Sequence, residues 1–140
     1  MDKYDVLKLE NQFCFPLYAA SREVVKLYYP HLSELGITYT QYIALMVLWE
    51  DRKISAKELG KRLYLDSGTL TPLLKGLERK GLLTRTRDKD DERNLIVELT
   101  DEGLALREKA VDIPFKVGGC MKISREEAET LYKILYKVLD

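Results

Sequence analysis

The sequence predicts a mainly helical fold with a small β-wing: a winged helix-turn-helix domain flanked by N- and C-terminal helices. Three observations predict it. Leu65 to Arg87 opens on Asp66 and Ser67, either able to accept a bond from an orphan N–H at a helix start, and then sets Leu70, Leu73, Leu74 and Leu77 on one stripe. Gly81 stops that helix, and Leu82 to Arg87, a charged turn at Asp88 to Glu92, and Asn94 to Leu99 read as a two-stranded ribbon. Ahead of it, Ser55-Ala56-Lys57-Glu58 has capping-box spacing and opens a short helix through Leu63, the first arm of a helix-turn-helix. The same pattern also fits an amphipathic helix and hairpin in some other α+β domain.

Taken in order, Leu9 to Tyr29 reads as a long helix, with Phe13, Leu17, Ala20, Val24 and Leu27 every three or four positions. Pro16 predicts a kink or an irregular first turn beside Cys14, because it lacks the N–H that would bond the Gln12 carbonyl. Pro30 predicts the end of that helix. Thr38 to Gln41 has capping-box spacing, and the helix after it, running to about Trp49, is apolar nearly all round, as a central core helix should be. Within the next long helix Gly76 costs about 1 kcal/mol relative to alanine, while Pro72 is tolerable near the first turns. Thr100 with Asp101 and Glu102 caps a helix toward Asp112, which Pro114 and Gly118-Gly119 should break. Ser124 and Glu127 form a last capping box before Ala128, Leu131, Leu135 and Val138, a narrow apolar seam. The stripes at the two ends could pack together within one chain or form a dimer interface.

Length and composition set bounds. The 140 residues are one domain's worth, and 46% hydrophobic content can build a core without disulfide or metal staples. The longest apolar run, Tyr42 to Trp49, is far short of the ~20 residues that span a bilayer, and the polar start MDKYDVLKLENQ lacks a secretory pattern, so a cytoplasmic protein is expected, with no membrane partner. Two cysteines 106 positions apart (120 − 14) should then be reduced at rest, leaving a transient redox role open. Formal net charge is zero, but Arg52 to Arg93 holds 12 Lys/Arg against 7 Asp/Glu, a balance of +5 offset by −5 elsewhere. A cationic lobe on an acidic scaffold fits that segregation.

The chemistry is mostly defined by exclusion. One histidine, His31, and two distant cysteines make no clustered metal-ligand set, and no nucleophile elbow or glycine-rich phosphate loop is present, so no cofactor is expected. Ser67, Thr69, Thr71, Lys75 and Arg79 combine short hydrogen-bonding groups with cations, which suits a helix whose N-terminal end enters a DNA major groove. Arg85 and Arg87 on the ribbon are placed to hold phosphates. Cys14, among Phe13, Phe15 and Leu17, can be read as a small buried apolar side chain or, given donors or positive potential, as a reactive thiolate.

Two longer segments carry a resemblance. DSGTLTPLLKGLERKGLLTR followed by DKDDERNLIVELTDEG resembles the recognition helix and wing of MarR-type winged-helix regulators, and LENQFCFPLYAASRE resembles their organic-hydroperoxide-sensing, OhrR-like branch. The similarity covers most of the chain. It implies a homodimeric repressor on a near-palindromic double-stranded operator, about 40–100 forming the DNA-binding lobe and about 1–37 and 101–140 the dimerisation region of a single domain. It further implies that Asp91 orients Arg93 for the minor groove, and that Tyr28 and Tyr39 bond Cys14 as the sensing cysteine. In two-cysteine members of that branch a cysteine in the late region where Cys120 stands bridges to the sensing one across the dimer, whereas in one-cysteine members a small thiol takes its place. On an unbroken helix Cys14 and Tyr28, 14 residues apart, are separated by about 21 Å, so they could meet only between subunits. Two other functions are compatible with the sequence: a winged-helix regulator released by a small aromatic ligand, with Cys14 structural, and a thiol peroxidase. An enzyme is disfavoured because nothing suggests a preorganised transition-state site or a recycling route.

Overall fold

A computed structural model describes residues 1–140. The chain starts with two short 3-10 turns, Lys3–Leu7 and Leu9–Asn11, tied together by side-chain amides: Asn11 Nδ2 donates to the Asp5 carbonyl at 2.7 Å and Gln12 Nε2 to the Val6 carbonyl at 2.6 Å. Helix α1 follows at Cys14–Leu35. The helix expected from Leu9 starts only at Cys14, with Leu9–Asn11 a separate 3-10 turn, so its beginning is irregular as expected, and Pro16, the third helical residue, has no intrahelical N–H bond to lose. The expected end at Pro30 is wrong. Pro30 lies inside α1, and the anchors Leu27, Tyr28, Leu32 and Leu35 on either side of it pack on the core, so burial outweighs a local cost of about 3 kcal/mol. The helix ends instead at Gly36, in the left-handed conformation at φ 72°.

Helix α2, Tyr39–Asp51, opens on the expected capping box: Gln41 N–H donates to Thr38 Oγ1 at 3.3 Å and Thr38 N–H to Gln41 Oε1 at 3.1 Å. Tyr42, Ala44, Leu45, Val47 and Leu48 are all buried, and Trp49 donates its indole N–H to the Gly103 carbonyl at 2.9 Å, so α2 is the central helix of the core. Strand β1, Lys53–Ser55, leads into helix α3, Ala56–Leu63, capped by Ser55 Oγ at 3.1 Å from Glu58 N. Helix α4, Ser67–Arg79, is capped by Asp66, whose Oδ1 accepts from Thr69 N at 2.8 Å. Its buried stripe is the one expected from the leucines.

Strands β2, Leu83–Arg87, and β3, Leu95–Leu99, form the wing. The sheet has three strands rather than two, in the order β1-β3-β2, with Ile54 opposite Val97 and Arg85 opposite Val97 on the other edge. A three-residue β1 carries too little alternation to be read without its partner. Helix α5, Asp101–Ala110, is followed by α6, Ile113–Gly118. Pro114 starts α6 rather than breaking a helix, taking an early position where no N–H is needed. Helix α7, Arg125–Leu139, has its expected capping box, with Ser124 N–H donating to Glu127 Oε1 at 2.8 Å, but buries no residue at all. No helix is long and apolar enough to cross a membrane.

Candidate DNA interface and redox site

The outward face of α4 is built by helical spacing. Ser67, Thr71, Lys75 and Arg79 follow one another at four-residue steps and are all exposed. Thr69 does not join them: at 100° per residue it lies roughly 160° round the axis from Thr71, beside its capping residue Asp66. Opposite Ser67 and Thr71, Arg93 and Asn94 of the wing close a cleft of about 680 Å³ whose floor comes from α3. Lys57 and Lys61 of α3 and Tyr64, which caps it, line the same cleft and were not singled out from the sequence. Their signal was faint: α3 is short, and its cations read equally well as a solvated face.

The two wing arginines differ in kind. Arg93 is 90% exposed at the tip, and Asp91 holds it in a fork, with Nε to Oδ1 at 3.0 Å and Nη2 to Oδ2 at 3.2 Å. Those bonds hold the Asp91 carboxyl below its ordinary range, the Arg93 side chain acting first and its backbone N–H second. The aspartate thus fixes the arginine side chain at the wing tip. Arg85, by contrast, is not a free phosphate ligand. Its side chain is only 19% exposed, and its Nη2 and Nε reach Glu78 Oε1 at 3.1 and 3.3 Å while its backbone N–H donates to Glu78 Oε2. β-strand alternation turns it inward with Leu83, so it braces the wing against the end of α4. Arg87, at the end of β2, is exposed and carries no ion pair.

The redox candidates fall into two separate groups. Cys14 is the first residue of α1 and is exposed. Its flanking Phe13 is 79% exposed. Tyr28, in the C-terminal half of α1, lies against Tyr39 at the start of α2, ring centroids 5.0 Å apart, with Tyr42 5.7 Å from Tyr28. Burial raises the pKa of all three phenols, with neighbouring rings adding to it for Tyr28 and Tyr42, and Tyr42 reaches about 12. Each phenol therefore stays protonated near neutral pH and can donate a hydrogen bond. Cys120, just past α6, is exposed, its thiol directed to the Lys116 carbonyl at 3.4 Å. One chain brings Tyr28 and Tyr39 together and leaves Cys14 and Cys120 each apart from them. No group of three or more metal-ligating side chains occurs.

Comparison with known proteins places this geometry. A family model described as transcriptional regulator SarA/Rot matches residues 26–110. Over 139 residues the chain is 52% identical to the organic hydroperoxide resistance transcriptional regulator of Bacillus subtilis, covering 99% of this chain and 95% of that one. The chain belongs to the MarR-type winged-helix transcriptional regulators. This regulator's fold matches reduced AbfR bound to DNA, a Staphylococcus epidermidis protein, with a TM-score of 0.81 at 36% identity, covering 99% and 96% of the two chains. For disulfide-formed AbfR, at the same 36% identity and covering 99% and 97%, the TM-score is 0.67. Overoxidised AbfR bound to DNA gives 0.79, so the regulator's backbone lies nearer the DNA-bound arrangement of AbfR than the disulfide-formed one.

Proposed function

We propose that this regulator is a homodimeric repressor that releases a near-palindromic operator when an organic hydroperoxide oxidises Cys14. The observation that carries the reading is the division of the redox groups. An exposed thiol begins α1, while Tyr28, 14 residues or about 21 Å further along the same helix, and Tyr39 at the start of α2 form a pair of phenols held protonated. They complete one another only if a second copy lays its own α1 end against the first, so that Tyr28 and Tyr39 of the partner subunit donate to the Cys14 thiolate and stabilise it. Residues of about 40–100 then form the DNA lobe and the two ends the dimer contact. Ser67, Thr71, Lys75 and Arg79 face the major groove, Arg87 meets phosphate, and Arg93, aimed by Asp91, enters the minor groove. The resistance to organic hydroperoxides named for the Bacillus subtilis relative supplies the oxidant class.

In the first step the Cys14 sulfur attacks one peroxide oxygen and the O–O bond breaks. An alcohol leaves after taking up a proton, and the sulfur, oxidised by two electrons, becomes a sulfenic acid. The Cys120 thiolate of the other subunit then attacks that sulfur, forming the S–S bond and expelling hydroxide, which is protonated to water. Loss of the thiolate removes the acceptor for both phenols, and the two recognition helices leave the spacing of about 34–36 Å that successive major grooves require.

Non-reducing gels after cumene hydroperoxide should show a covalent dimer that Cys120→Ser abolishes, and Cys14→Ser should stay on DNA under the same treatment. A covalent dimer persisting in Cys120→Ser would remove Cys120 as the second thiol. Release from DNA undiminished in Cys14→Ser would overturn the sensing reading and leave a winged-helix binder controlled by something else.

A further inference from the structure

The recognition helix is tied to the tyrosine corner by one polar link. Lys80, immediately after α4, donates its Nζ to the Gly36 carbonyl at 2.5 Å and to Gln41 Oε1 at 2.8 Å. Gly36 closes α1, eight residues beyond Tyr28, and Gln41 lies two residues into α2 from Tyr39. Gln41 is the one buried polar side chain of the molecule, 8% exposed, and its amide oxygen also accepts from Thr38 N. Its amide nitrogen faces Gly76 of α4 so closely that a Cβ there would stand 2.8 Å from it. A glycine in the middle of the recognition helix, unfavourable on propensity alone, is thereby explained: it lets α4 close on Gln41.

We infer that Gln41 and Lys80 are positioning residues for DNA release, forming a latch that carries movement of the Tyr28/Tyr39 corner to the recognition helix. The inference rests on the Cys14 reading above and adds the route by which oxidation reaches α4. A single lysine head bridges the end of α1 and the start of α2, the two elements that hold the phenols, so displacing either pulls on the C-terminal end of α4. At that same end Glu78 grips Arg85, so the wing follows the helix. Apolar packing alone would let the helices slide, whereas directional bonds fix one end to the other.

Lys80→Met keeps the aliphatic stem and removes the bonds, and Gly76→Ala drives Gln41 away from α4 from the other side. The measurement is the ratio of operator affinities of the reduced and peroxide-treated full-length dimer, with Cys14 oxidation followed separately by intact mass. Wild type should show a ratio within the roughly 5–150-fold range typical of coupled sites, and both variants should oxidise at Cys14 to the same extent with a ratio at least about fivefold smaller. A lysine that only contacted phosphate would lower both affinities alike, reduce the salt slope and leave the ratio unchanged. An unchanged ratio in Lys80→Met overturns the latch while leaving the sensing reading intact. No release by oxidised wild type overturns the sensing reading and the latch with it.

Discussion

The winged-helix lobe and the terminal helices treat their apolar side chains in opposite ways. In the lobe the leucines of α4, the face of α2 and Leu83, Val97 and Leu99 of the sheet are nearly all inaccessible, and the polar groups among them are paired. At the ends the chain does the reverse. Helix α7 buries nothing, Leu131 and Val138 are 46% and 66% exposed, and Phe115 on α6 is 80% exposed. The lobe's core continues into Leu32, Ala110, Ile113 and Val117 of the flanking helices, while the exposed faces of α6 and α7 are the surfaces left for a second copy in the proposed dimer. In the proposed function, that division lets chemistry at a subunit seam change where the reading heads sit.

Substitutions that separate the two regions test the contrast, and the largest effect belongs to the closed lobe. Leu77→Ala, at a position with no exposure, should lower the unfolding free energy by about 2–5 kcal/mol, read by urea titration. Leu131→Ala on α7 should instead weaken the dimer by about 1.5–3 kcal/mol for each leucine that a partner covers, read by sedimentation across a concentration series, with the core unchanged. Equal loss of lobe stability from both would mean that α7 belongs to the monomer core and the contrast is false.

A smaller effect sharpens the comparison inside the wing. Arg93→Ala should weaken operator binding on the order of tenfold with folding unchanged, whereas Arg85→Ala should lower stability and leave the salt slope of binding close to wild type. A reduced salt slope in Arg85→Ala would return that residue to the DNA contact. The smallest effect is acidic. Asp66 is held below its ordinary pKa, first by the Thr69 backbone N–H. Its contribution is therefore fully present above the ordinary carboxylate range near 4 and is lost as pH falls through the lowered value. Asp66→Asn keeps a capping oxygen without the charge, so its stability should fall less steeply in acid, and an acid limb as steep as wild type would assign that loss to other carboxylates.

Much of this was legible in the sequence because local chemistry is short-ranged. The caps at Thr38, Ser55, Asp66, Thr100 and Ser124 each bond a backbone N–H three residues on, and the leucine stripe of α4 needs only helical periodicity. The aim of Arg93 by Asp91, two residues away, is of the same kind. Only the tertiary structure decided the rest, because distance in the chain says nothing about distance in space. Pro30 could stay inside α1 because core contacts flank it, Arg85 turned inward because Glu78 waited there, and Gly76 made sense only once Gln41 lay against it. Position along a helix is set by neighbours a turn away, but what a side chain touches is set by how the helices are brought together.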